Sequence, residues 1–153
     1  MTSEQLNDEI QIELSFIEDT IQEIVKLNRE LAGTIPNIKD KTAAAAFLAQ
    51  FYNGIENILK RIAKFHGAVV ATGDSWHIEL FKLFSESQQN QLPELFQGEF
   101  IAIFSSYRKF RHVFFHGYGF QLDWERMQFG IENIETAYNE FHNTLDRYLI
   151  TLK

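Results

Sequence analysis

Leu6, Ile10, Leu14, Ile17, Ile21, Ile24 and Leu31 advance along the chain in steps of three and four, with one break at Asn28, while polar residues fill the positions between. That is the period of an amphipathic helix. Thr2 and Gln5 have capping-box spacing ahead of the run, and Gly33 then Pro36 supply a stop, so a first helix is predicted from about 3 to 32. Phe47, Phe51, Ile55, Ile58, Ile62 and Phe65 line one face of a second helix from about 39 to 66, closed by Gly67. The stretch GAVVATGDS reads as a loop. Asp74 or Ser75 can cap a shorter helix containing Trp76, Leu80, Phe81 and Phe84, which dissolves into the polar stretch 85 to 92.

Pro93 can open the next helix, in which Phe96, Phe100, Ile103, Phe104, Tyr107, Phe110 and Phe114 are apolar nearly all round, so it is expected to sit centrally and to end at Gly117. A last helix, capped by Asp123, runs to about 151 through Trp124, Met127, Ile131, Ile134, Tyr138, Leu145 and Leu149. There is no strand pattern, repeat or linker. The expected fold is therefore all-α: one domain over residues 1–153, an up-and-down antiparallel bundle of four long helices plus one short one. The apolar surface of the fourth helix exceeds what one neighbour would cover, which suits a symmetric homodimer; cover by neighbouring helices of the same chain is the alternative.

Composition adds limits. A chain of 153 residues, 45% hydrophobic and with 15 Phe, suits one tightly packed core and is too short for two. With no Cys, disulfides and thiolate metal sites are excluded, and a cytoplasmic location fits. No apolar run is long enough for a membrane span, and the acidic N-terminus lacks the features of a signal peptide. The net charge of −7 argues against a general nucleic-acid binder, but its distribution matters more. Residues 1–30 carry eight acids against Lys26 and Arg29, whereas bases gather at Lys60, Arg61 and Lys64 and again at Arg108, Lys109 and Arg111, which leaves room for a local positive cleft.

The chemistry concentrates in RHVFFHGYGF, residues 111–120. His112 and His116 project on one side of a helix, while Arg111 and His116 lie about 140° apart. The reach of Arg, or a second chain across a two-fold axis, is needed to unite those two. Two histidines at i, i+4 can ligate a metal, but no third ligand accompanies them and Arg108 and Arg111 would repel the cation, so no metal or other cofactor is expected. Metal-free RNA cleavage asks for a base for the 2′-OH, an acid for the leaving 5′-oxygen and a cation facing the phosphate. Two imidazoles and a guanidinium match that list, though each can equally be a packed core group or a helix-end cap. Trp76 and His77 are candidates for a partner-facing surface, with core packing the better fit for Trp76.

Arg111-x4-His116-x-Tyr118 resembles the R-x4-H-x-Y motif of HepT toxins, within the wider HEPN family whose signature is R-x4-6-H with a polar residue after the arginine. His112 stands at that polar position, where Asn or Asp is commoner. Helix order, chain length and placement of the motif before the last helix match as well. The resemblance implies a metal-independent endoribonuclease toxin of a type II or type VII-like toxin–antitoxin pair, active as a homodimer with both motifs on one cleft. It implies a minimal nucleotidyltransferase antitoxin that transfers AMP to the motif tyrosine. Carried onto this chain, Arg111 would stabilise the phosphate, His116 would be acid or base, His112 would orient RNA or its neighbour, and Tyr118 would be the modified residue. Gly117 and Gly119 flank Tyr118 and can take positive φ, which would offer its hydroxyl to another enzyme. Arg108 and Lys109 are candidate RNA contacts. A different class of reading makes the chain a non-catalytic subunit that binds a nucleotidyltransferase partner and a nucleotide.

Overall fold

The computed structural model describes residues 1–86, 91–117 and 122–153. Among them run α1 (Ser3–Glu30), α2 (Ile38–Phe65), α3 (Trp76–Ser85), α4 (Glu99–His116) and α5 (Trp124–Thr151), four long helices and one short one in an up-and-down bundle. The caps follow from the sequence. Thr2 and Gln5 form the expected capping box, Asn37 accepts from the Asp40 N–H, and Asp123 accepts from the Arg126 N–H. Ser75 caps α3 by position, although its side chain makes no capping bond.

Two expectations fail, each for a local reason. Pro93 does not open α4. The N–H groups of Leu95 and Phe96 both donate to the Phe84 carbonyl, at 2.9 and 3.2 Å, and Gly98 at φ +59° then turns the chain into a helix that starts at Glu99. Leu95 and Phe96 are buried without helical backbone, and Phe96 packs its ring on Phe81 at 4.6 Å. Nor is α4 central. Helix α2 buries twelve side chains and touches every other helix, whereas α4 buries only Phe104 and Tyr107 fully. The alanines at 44, 45, 49 and 63 let neighbours close in on α2, a position that the bulky α4 cannot take.

Helix α1 lies against α2 along the stripe Leu6 to Ile24, and the two are in tight contact at Gly54, where a Cβ would fall 2.5 Å from Ile17 Cγ1. Helices α4 and α5 are tied by the buried Tyr107 hydroxyl, which donates to the Gly130 carbonyl at 2.7 Å. Burial holds that phenol protonated, its pKa pushed above the usual range. None of the helices is long and apolar enough to cross a membrane, among the described residues.

The α1–α2 contact gives a direct check. Gly54→Ala should force the β-branched Ile17 out of its rotamer and lower stability by about 1–3 kcal/mol, read as a lower urea midpoint with an unchanged m-value.

Candidate functional site

Among the described residues Glu56 is the buried charged side chain. It sits on the inner face of α2, 1% exposed, among Phe51, Ile55 and Leu59 of the same helix. A carboxylate there is costly unless it is matched. Two neighbours match it. From the first turn of α3, His77 places Nδ1 2.6 Å from Glu56 Oε2, and from α4, Arg111 places Nε 3.4 Å from Oε1. The second contact is long and poorly aligned for a hydrogen bond, so Oε1 is held by charge rather than by a shared proton. The Arg111 Nε–H instead donates to Asn53 Oδ1 at 2.9 Å.

The loop closes between the two partners of the carboxylate. Arg111 Nη1 lies 3.3 Å from His77 Nε2. A guanidinium only donates, so Nε2 accepts, and the Nδ1–H then points at Glu56; the partners assign the tautomer. Phe115 lies one turn on, with the Arg111 guanidinium 4.9 Å from its ring centroid. On the other side of His77 the Trp76 ring packs at 3.5 Å, and Lys60 Nζ sits 4.6 Å above that indole. Tyr52, one turn before Glu56, is fully buried. Burial and then the Glu56 charge push its phenol pKa up, against the opposing fields of Arg108 and Arg111, so it stays protonated.

The motif residues are thereby divided. Arg111 turns inward to α2 and α3, while His112 and His116 stand exposed with ring centroids 4.6 Å apart, on one side of the helix as their spacing required. No hydrogen bond, ion pair or ring contact joins Arg111 to His116 within the chain. Arg108 also faces inward, its Nε buried, whereas Lys109 lines a separate cavity of about 570 Å³ between α4 and the start of α5, with Phe110, Val113, Arg126 and Phe129. The two candidate RNA contacts thus lie on different sides of α4. Of the bases around residue 60, Arg61 is committed to Glu9 and Glu13 of α1 and leaves only part of the expected positive cleft.

Tyr118 lies outside the described residues. Gly117 ends α4 as expected, but at φ −109° and ψ −179°, extended backbone open to any residue, so positive φ plays no part there. Among the described residues no three His, Cys, Asp or Glu side chains gather as a metal set. Sequence reading did not assign Glu56, Asn53 or His77 to the site. One signal was present: a glutamate inside an otherwise apolar helical face, which needs a partner from elsewhere.

A family model described as HepT-like protein matches residues 43–152, well over half of the chain, and spans every residue of this cluster. The chain belongs to the HepT-like family. Membership agrees with the HEPN resemblance carried by Arg111 and His116, and the bundle of four long helices is the architecture which that resemblance implied. Neither the curated proteins nor the solved structures give a significant match.

Because Glu56 is so deeply buried, losing the guanidinium should cost more than an exposed charge would. Arg111→Met should lower stability by about 3 kcal/mol. The double variant Glu56→Gln/Arg111→Met, which no longer strands a carboxylate, should recover most of that loss in a urea melt.

Proposed function

We propose that this HepT-like chain is the toxin of a toxin–antitoxin pair and acts as a metal-independent endoribonuclease in the form of a symmetric homodimer. The observation that carries this reading is the Arg111 guanidinium, held at the end of α4 by a buried carboxylate, on the same helix turns as the exposed pair His112 and His116. In the proposed reaction one imidazole takes the proton of the 2′-OH, the 2′-oxygen attacks phosphorus, and a second imidazole protonates the departing 5′-oxygen, leaving a 2′,3′-cyclic phosphate. Arg111 faces the crowded phosphate as charge builds there. His116 is the proposed acid or base, and His112 orients RNA or its neighbour.

Dimerisation is supported by apolar side chains that α4 and α5 leave uncovered: Val113 and Phe129 at the cavity between the two helices, and Ile101 and Phe115 on another side of α4, Phe115 exposed by 55%. A second copy seated there would bring the partner's motif toward Arg111, which the single chain keeps away from its own His116. Lys109 and Arg126 would lie beside that seam as cations for the RNA backbone. The proposed antitoxin is a minimal nucleotidyltransferase that transfers AMP from ATP to the Tyr118 hydroxyl, releasing pyrophosphate. A bulky phosphodiester two positions beyond His116 in sequence would, in this reading, fill the RNA site and neutralise its charge.

One observation favours the second reading, a non-catalytic subunit that binds the nucleotidyltransferase. Arg111 is already paired with Glu56 in the single chain, so part of its charge is spent. The RNA assay separates the two readings. Wild-type protein should cleave RNA with EDTA present, and His116→Ala should reduce the rate by about a hundredfold or more with helical CD and dimer mass unchanged. Intact RNA at every pH from about 5 to 9, the range over which imidazole titrates, would leave the non-catalytic reading standing. For the modification, incubation with the cognate nucleotidyltransferase and ATP should add one or more AMP masses. The gain should be absent in Tyr118→Phe, and a Phe variant that is still modified would place the target elsewhere.

A further inference from the structure

The HEPN motif explains Arg111 but not the company it keeps. A histidine that merely satisfied Glu56 would need one nitrogen; His77 uses both, with Nδ1 on the carboxylate and Nε2 on the guanidinium. Its ring is packed as well as bonded: Trp76 covers one face at 3.5 Å, Lys60 lies over that indole, and Glu56 is itself buried in the core. Glu56 also selects the tautomer. With a carboxylate on Nδ1 the proton stays there, and Nε2 remains an acceptor; the other tautomer would set an N–H against the N–H of Arg111.

A guanidinium carries five N–H groups. In this structure the one on Nε goes to Asn53 Oδ1, and one on Nη1 goes to His77 Nε2. Three remain, one on Nη1 and two on Nη2, along the edge of the plane that Asn53 does not occupy. A phosphate takes two parallel N–H donors from such an edge, and the fit depends on the rotation of the plane. Asn53 alone fixes a point on the guanidinium. Asn53 and His77 together fix its direction, and the Phe115 ring supports one face.

We infer that His77, held by Glu56, is a positioning residue for Arg111, setting the guanidinium edge toward the scissile phosphate of an RNA substrate. This rests on the nuclease reading for its substrate, but the aiming itself is a property of the folded chain. Correct orientation of a charge in the transition state is worth about a hundredfold in rate, and the benefit belongs to the chemical step rather than to RNA affinity.

The test pairs spectroscopy with kinetics. NMR of the guanidinium N–H groups of wild-type dimer at low temperature should give separate Nη1 and Nη2 signals for Arg111, because the His77 bond slows rotation. His77→Phe, which keeps a flat ring and removes both polar atoms, should merge them. His77→Gln, which restores a donor and an acceptor, should separate them again. In RNA cleavage His77→Phe should lower kcat by about a hundredfold with KM little changed, His77→Gln should recover most of that loss, and in an Arg111→Lys background His77→Phe should subtract nothing further. His77→Leu, read beside His77→Phe with thermal melts, separates a packing defect from loss of aim. Arg111 signals that stay separate in His77→Phe, or a kcat loss undiminished in the Arg111→Lys background, would overturn the inference. Wild-type protein that cleaves no RNA would instead sink the nuclease reading, and the NMR comparison would then decide the aiming by itself.

Discussion

A carboxylate in the middle of a hydrophobic bundle constrains everything near it. Glu56 is as buried as the phenylalanines beside it, and an ionised carboxyl without partners would cost several kcal/mol there. Its hydrogen-bond donor and its counter-charge do not come from α2. They come from α3 and α4, so the short helix must begin where His77 reaches Oε2, and α4 must pass where Arg111 reaches Oε1. The placement of α3, otherwise a ten-residue helix with an uncapped start, follows from that need as much as from its own Leu80, Phe81 and Phe84.

The same constraint divides the motif. One residue of RHVFFH is recruited inward by charge, while its two histidines, turned away from it around α4, stay in solvent. A helix cannot turn both sets toward one point, because five residues carry the chain well past a full turn. Exposed apolar side chains of α4 and α5 stand near the histidines, and in the proposed homodimer a second copy would cover them. Charge is organised to the same end: α1 absorbs Arg61 with Glu9 and Glu13, so the acidic helix is partly neutralised on the face where it packs, and Arg111, Lys60 and Lys109 remain on the rest of the body.

Stability and site are consequently not independent in this chain. Arg111 serves as the counter-charge of the core and is also the proposed cation of the site, and His77 touches both it and Glu56. A substitution at Arg111 perturbs both together, whereas one at His116, exposed and free of any bond to the core, leaves the packing alone.

By itself the sequence determined the helices and their caps, because apolar period and capping chemistry are local: the Leu6–Ile24 stripe, the Thr2–Gln5 box and the Asp123 cap all stand where their spacing put them. It also determined the family, through Arg111, His116 and the order of the elements, and it placed His112 beside His116 since residues four apart share a face. Tertiary structure alone decided that α2 rather than α4 is central, that the Phe84 carbonyl claims the backbone after Pro93, and that Arg111 answers to Glu56, Asn53 and His77. Those residues lie 34 to 58 positions from Arg111 in sequence, and no local period encodes a contact between helices. It is fixed only when the bundle closes and a buried charge has to find its opposite.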